Sequence, residues 1–189
     1  YSLIKGGGAF EKISTTTISS SVASVDFNTL STDYRDFRII ISSLVIDTHQ
    51  EAILMKVKRS GQSSFDGGSG DYRYSCIGTR SQDGTTLTGT SNSDNKLRLH
   101  PSNVARDASV DGATFNAVVD IPDPHSSTNT KFVYATAAFV EGVYGATAVS
   151  IASGYRYDTS ETALIGLQLA AGGSTEFTSG TVTLYGRKN

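Results

Sequence analysis

The side chains best able to serve as nucleophile, base or metal ligand are scarce. The 189 residues include 3 histidines and 1 cysteine. His49, His100 and His125 are far apart on loop-like or strand-end stretches, and none sits in an H-x-H or H-E-x-x-H spacing that would hold a metal. No G-x-S-x-G elbow is present. The plain reading is three ordinary surface histidines. Cys76 follows Tyr72 and Tyr74 at two-residue intervals. That rhythm places it on a strand as a small buried apolar residue, with no base nearby in sequence to activate the thiol. Asp66 and Asp71 flank Gly67-Gly68-Ser69-Gly70, and two carboxylates with loop carbonyls are a calcium-type ligand set. The spacing is not that of an EF-hand, and a glycine-rich hairpin turn explains the same residues. Other acids, such as Asp83, Asp94, Asp111 and Asp158, fall in turns, not as the facing pair at ~5–10 Å that glycosidases use. The sequence therefore predicts no enzyme: no catalytic residue, no metal and no cofactor.

Binding chemistry is better supplied. The chain has 9 tyrosines and no tryptophan. Tyr144, Tyr155 and Tyr157 lie among Gly142, Gly145 and Gly154, so a loop cluster for stacking a glycan ring, or for a protein partner, is one reading. The other is that tyrosines fill strand positions and the rims of subunit contacts. Lys56, Lys58, Arg59, Arg73, Lys96 and Arg98 mostly fall on the outward parity of their segments. If those strands are neighbours, they form a basic stripe for a polyanion or an acidic subunit surface. The plainer role of such charge is to keep strands soluble and to blunt sheet edges.

The elements that must position these residues are strands. Ala113, Phe115, Ala117, Val119 and Ile121 alternate with more polar residues up to Pro122 and Pro124. Ile53, Met55 and Val57 alternate in the same way, as do Leu97 and Leu99, Ile165, Leu167 and Leu169, and Val182 and Leu184. Phe37 to Ile46 and Lys131 to Val140 are apolar on both parities, as expected of strands packed on both faces or facing another subunit. Lys12–Ile18, Val22–Phe27, Asp71–Gly78 and Ala146–Tyr157 are weaker candidates. Turn chemistry at Gly6-Gly7-Gly8, Asp66–Gly70, Asp83-Gly84, Asp111-Gly112 and Gly172-Gly173 separates these runs. Gly89 to Asn95 reads as a loop, and the one short helix that can be written spans Ser102–Ser109. The expectation is an all-β fold: one domain over 1–189, a β-sandwich or jelly roll of roughly ten strands with little helix.

Composition agrees. The 16 basic and 18 acidic residues give a net charge of −2, which does not suit a nucleic-acid binder. No apolar run approaches the ~20 residues of a membrane-spanning helix. Tyr1-Ser2-Leu3-Ile4-Lys5 has no signal-peptide pattern, and the missing initiator Met points to its removal or to a preceding segment.

Three segments carry a resemblance. Met55-Lys56-Val57-Lys58-Arg59-Ser60-Gly61 runs through the glycine-rich turn into Ser69-Gly70-Asp71-Tyr72-Arg73-Tyr74. Tyr34-Arg35-Asp36-Phe37-Arg38-Ile39-Ile40-Ile41 follows Val25-Asp26-Phe27, and the end is Ser179-Gly180-Thr181-Val182-Thr183-Leu184-Tyr185-Gly186. Their order resembles a jelly-roll family of tailed-bacteriophage virion proteins, with its strand, glycine-rich turn, "D-Y-x-[WY]" and closing "S-G-T-x-x-L-Y-G". The resemblance implies a structural component of a virion, on a fibre or appendage or on the capsid surface as a decoration protein. It also implies a homotrimer, contacts with other virion proteins, and no catalytic residues to transfer. A lectin-like module that recognises a host surface glycan is the alternative. Lys131–Val140, apolar on both parities, predicts a second face covered by a loop or by another chain, and the small residues Ala170-Ala171-Gly172-Gly173 would allow a partner's backbone to approach closely.

Overall fold

Every regular element among the described residues is a strand, most of them with alternating burial, and none of these residues is helical. The computed structural model describes residues 8–105, 112–157 and 162–188. The strands in chain order are β1 (Glu11–Ile18), β2 (Ser24–Phe27), β3 (Asp36–Ile46), β4 (Ile53–Arg59), β5 (Tyr72–Arg80), β6 (Thr86–Asp94), β7 (Leu97–Arg98), β8 (Phe115–Ile121), β9 (Phe132–Val140), β10 (Thr147–Arg156), β11 (Leu164–Ala171) and β12 (Phe177–Arg187). The 12 strands exceed the sequence count of roughly ten by two.

Two antiparallel sheets pack face to face as a β-sandwich. The large one has the order β1-β12-β3-β8-β9-β10-β5-β6, the small one β2-β11-β4-β7. Without β5, β6, β9 and β10, what remains is β1-β12-β3-β8 against β2-β11-β4-β7. That two-by-four order is a jelly roll, two Greek keys folded together. The hairpin β5–β6 is inserted between β4 and β7, and the hairpin β9–β10 between β8 and β11. Both add to the same side of the large sheet, beyond β8, and join through the β5–β10 ladder. The large sheet thus has a scaffold half and an added half.

The inward positions form one apolar cluster that includes Phe37, Ile39, Ile41, Phe115 and Phe177 from the large sheet and Ile53, Met55, Leu167 and Leu169 from the small one. Where β3 and β12 both bulge, Gly180 takes φ +124°, and a Cβ there would lie 2.8 Å from the Leu44 Cα, so only glycine fits.

Two sequence expectations are corrected. Gly89 to Asn95 is not a loop, because β6 runs through it to Asp94 and pairs with β5 from Thr79↔Thr86 to Tyr72↔Asp94. It shows no hydrophobic rhythm because it is an edge strand, held by its ladder more than by burial. Residues 102–105 are not helical, since Val104 forms bridges with Glu51 and Glu141; the rest of that helix expectation, like Gly6, Gly7, Asp111 and Asp158, lies outside the described residues.

Both edges of the large sheet are polar. β1 exposes Glu11, Lys12, Ser14 and Thr15 and is bulged between Lys12 and Ser14. β6 exposes Thr86, Thr88 and Thr90. Polar and bulged edges resist strand-to-strand growth, so any association of this sheet is directed to its face.

Candidate functional site

The outward positions of the added half are apolar. Ile151 on β10 lies opposite Ile77 on β5 and Thr136 on β9, and Thr136 lies opposite Val118 on β8. Val149 is flanked by Thr79 and Ala138. Ile77, Val149 and Ile151 are 54%, 57% and 62% exposed, and line a shallow groove of about 410 Å³ with Thr79, Thr86 and Thr136. Phe132 and Tyr134 continue the patch along β9, stacked with centroids 5.9 Å apart. Outward positions on β9, β10 and β5 carry one charge, Arg73. The inward positions of the same strands hold small residues, Ala135, Ala137, Ala148 and Ala152. The larger aliphatic side chains of β10 therefore point to solvent and the smaller ones into the core. Monomers seldom leave a contiguous apolar patch of more than a few hundred Å²; here six large apolar side chains on four neighbouring strands are each more than a third exposed.

At the Tyr72 end of β5 the patch becomes aromatic and polar. Antiparallel pairing places Tyr155 between Arg73 and Phe132. The Phe132 and Tyr155 rings meet at 5.5 Å, tilted by 59°. Arg73 lies over the ring of Tyr157 with its Cζ 3.8 Å from the centroid, and its Nη1 donates a long bond of 3.5 Å to the Tyr155 hydroxyl. Arg73, Phe132 and Tyr155, with Ser75, Ser153, Ser91 and Asn92, bound a cavity of about 220 Å³; Tyr157 lies outside its lining. Its floor is low because the outward Ser75 and Ser153 are small; Gly154 faces the core, where a Cβ would lie 2.4 Å from Leu97 Cδ2.

The structure brings Tyr155, Tyr157 and Arg73 together but separates Tyr144 from them. Tyr144 lies in the β9–β10 turn, at the far end of the hairpin, under the guanidinium of Arg80 at 3.9 Å. The turn is held by Glu141, whose carboxylate accepts from the Val143 and Tyr144 amides and from the Ser102 hydroxyl. The basic stripe is divided between the two sheets. Lys56 and Lys96 line one cleft on the small sheet. Lys58 lies over Phe65 and donates to Asn28. Arg98 is committed to the Ser102 carbonyl and Asn103, and Arg73 stands on the large sheet. The sequence reading missed Phe132, Ser75, Ser153 and the aliphatic trio. Phe132 was legible in principle: once Val140 pairs with Thr147, counting back along the hairpin brings Phe132 opposite Tyr155.

The residues first considered for chemistry have other occupations. Asp66 accepts from Arg59 Nε at 2.8 Å and from Arg156 Nε at 2.9 Å, and Arg156 also holds Asp71 at 3.1 Å. The two aspartates are thus the acceptors of an arginine network beneath the glycine-rich turn. The buried Tyr72 hydroxyl is threaded through it, donating to the Asp66 carbonyl and accepting from the Val57 amide; burial raises its pKa well above the ordinary value. His100 is not a surface residue. It is fully buried, its Nε2 accepts from the Ile53 amide at 2.8 Å, and its ring packs on Phe115 and Phe139. Burial, with Arg98 nearby, pushes its pKa down to about 3, so the ring is neutral. Cys76 is buried as expected; burial raises its thiol to about 11, and Sγ donates to the Arg98 carbonyl.

Comparison with family models, with curated proteins and with solved structures found no match.

Proposed function

We propose that this chain is a non-enzymatic structural building block that assembles with copies of itself through the outer face of its added half. The observation that carries this reading is the uncharged Ile77–Val149–Ile151 patch on a sheet whose two edges are polar. Such a face asks no counter-charge of a neighbouring copy and gains by excluding water, so it can pack against the adjoining surfaces of two other copies around a threefold axis.

The setting we propose is a tailed-bacteriophage virion, as a fibre or appendage segment or a capsid-surface component, in threefold assemblies. Its support is the sequence resemblance, whose segments fall on β3, on β4 through β5, and on β12. Light scattering on the eluting protein tests the assembly: three copies of 20.0 kDa give about 60 kDa. A mass of about 20 kDa at micromolar concentration contradicts self-association. A second reading, recognition of a glycan, is favoured by the cavity beside Phe132 and Tyr155.

A further inference from the structure

We infer that the cavity bounded by Arg73, Phe132 and Tyr155 is a subsite for one pyranose ring that bears a carboxylate. The inference rests on the second reading above and adds the class of sugar.

Size limits the ligand first. Pockets for drug-sized molecules run to ~300–1,000 Å³, and this one, at about 220 Å³, takes a single ring. Shape comes next. Ser75, Ser153 and the backbone of Gly154 make a low floor, while Phe132 and Tyr155, tilted against each other, make an aromatic wall. An aromatic wall over a floor of small hydroxyl residues suits a ring with one C–H face and one hydroxyl edge, which is the division a pyranose presents. Ser75, Ser91, Asn92 and Ser153 offer donors and acceptors to ring hydroxyls.

Charge gives the class. Among the described residues no carboxylate pairs with Arg73, whereas the other arginines beside this site, Arg59 and Arg156, are tied to Asp66 and Asp71. Arg73 has instead an aromatic ring beneath it and one long bond from Nη1 to Tyr155. A guanidinium oriented by stacking and left short of acceptors is suited to a carboxylate, which it binds through two parallel hydrogen bonds. A neutral sugar would leave that capacity unused.

The test is amide-resolved NMR titration of the whole chain with four probes: glucuronic acid, N-acetylneuraminic acid, glucose and acetate. The expected result is that one or both acidic sugars shift the amides of Arg73, Ser75, Ser153 and Tyr155. They should bind at least about tenfold more tightly than glucose, the size of one charge-assisted hydrogen bond. Arg73→Gln should remove that preference, and Phe132→Ala should weaken both sugars, with the remainder of the spectrum unchanged in each variant. Equal binding of glucose and the acids would overturn the acidic class while leaving a glycan site in place. Acetate shifting the same amides as strongly as the sugar acids would show that Arg73 takes any carboxylate, and would overturn the sugar assignment. No shift with any probe at about 20 mM, well above a millimolar Kd, would overturn both the subsite and the glycan reading.

Discussion

The outer face of the large sheet changes character between its two halves. On the scaffold half, polar outward residues pair with one another: Thr15 bonds Thr183 across the ladder at 3.1 Å, and Arg38 pairs with Asp120 at 2.7 Å. On the added half, the outward residues of β9, β10 and β5 are mostly Ile, Val, Thr, Phe and Tyr, with no such pairs along the aliphatic row. Both halves share one sheet and one core, so neither sheet-forming propensity nor the need for burial explains the difference. The strands outside the eight-stranded jelly roll hold the surface that can still gain by leaving water. What the comparison teaches is that this fold differs by hairpin: both halves line the core, and the insertions carry most of the exposed apolar surface.

The comparison breaks first if the added half is not properly packed on its inner side. Phe139→Ala on β9 should cost about 3–5 kcal/mol, as a large-to-small change in a full core does, since Phe139 is buried against His100 and Phe115. Tyr134→Ala, on the outer side of the same strand, should change the stability of the monomeric state by less than about 1 kcal/mol. Urea denaturation checks both, and a small loss for Phe139→Ala would mean that the hairpin is merely draped on the scaffold.

The seam between the halves has a pH signature. His100 packs on Phe115 of β8 and Phe139 of β9 as a neutral ring. Its pKa is about 3 in the folded chain and about 6.5 when unfolded. Between those values the unfolded chain binds a proton that the folded one refuses. This contribution to stability is therefore complete above pH 6.5 and is lost as pH falls. From pH 7 to pH 5 the loss should be about 2 kcal/mol, before most carboxylates titrate. His100→Gln should be less stable at pH 7 but flatter over this interval, and a wild-type profile already flat there would contradict a buried neutral histidine.

Much of this was legible in the sequence. The alternations of β4, β8 and β12 gave their inward residues directly, and the double-sided Lys131–Val140 segment marked a face with no cover in its own domain. Phe139 falls inward and Phe132 and Tyr134 outward, as that pattern implies. Hydrophobic rhythm does not reveal an edge strand such as β6, whose residues are polar on both sides. It also does not reveal a buried histidine, because His100 is held by the amide of Ile53, a residue 47 positions away. The order of strands in the sheet, which brings Arg73 beside Tyr155 and parts both from Tyr144, depends on how two inserted hairpins pair with each other. No local pattern encodes that pairing.

A smaller effect sharpens the contrast. Arg38→Ala removes a half-exposed ion pair from the scaffold half and should cost no more than about 1 kcal/mol. It should leave the assembled mass untouched when measured by light scattering.

The central claim concerns the added half, and one substitution there tests it most directly. Ile151 is the most exposed large apolar residue of the patch, at 62%, so a lysine at that position has room in the monomer and none in a packed contact between subunits. Light scattering on Ile151→Lys should give about 20 kDa where the wild type gives about 60 kDa, at a melting temperature unchanged once both are compared as monomers. An Ile151→Lys protein that keeps the wild-type assembled mass would contradict the assignment of this face to self-association.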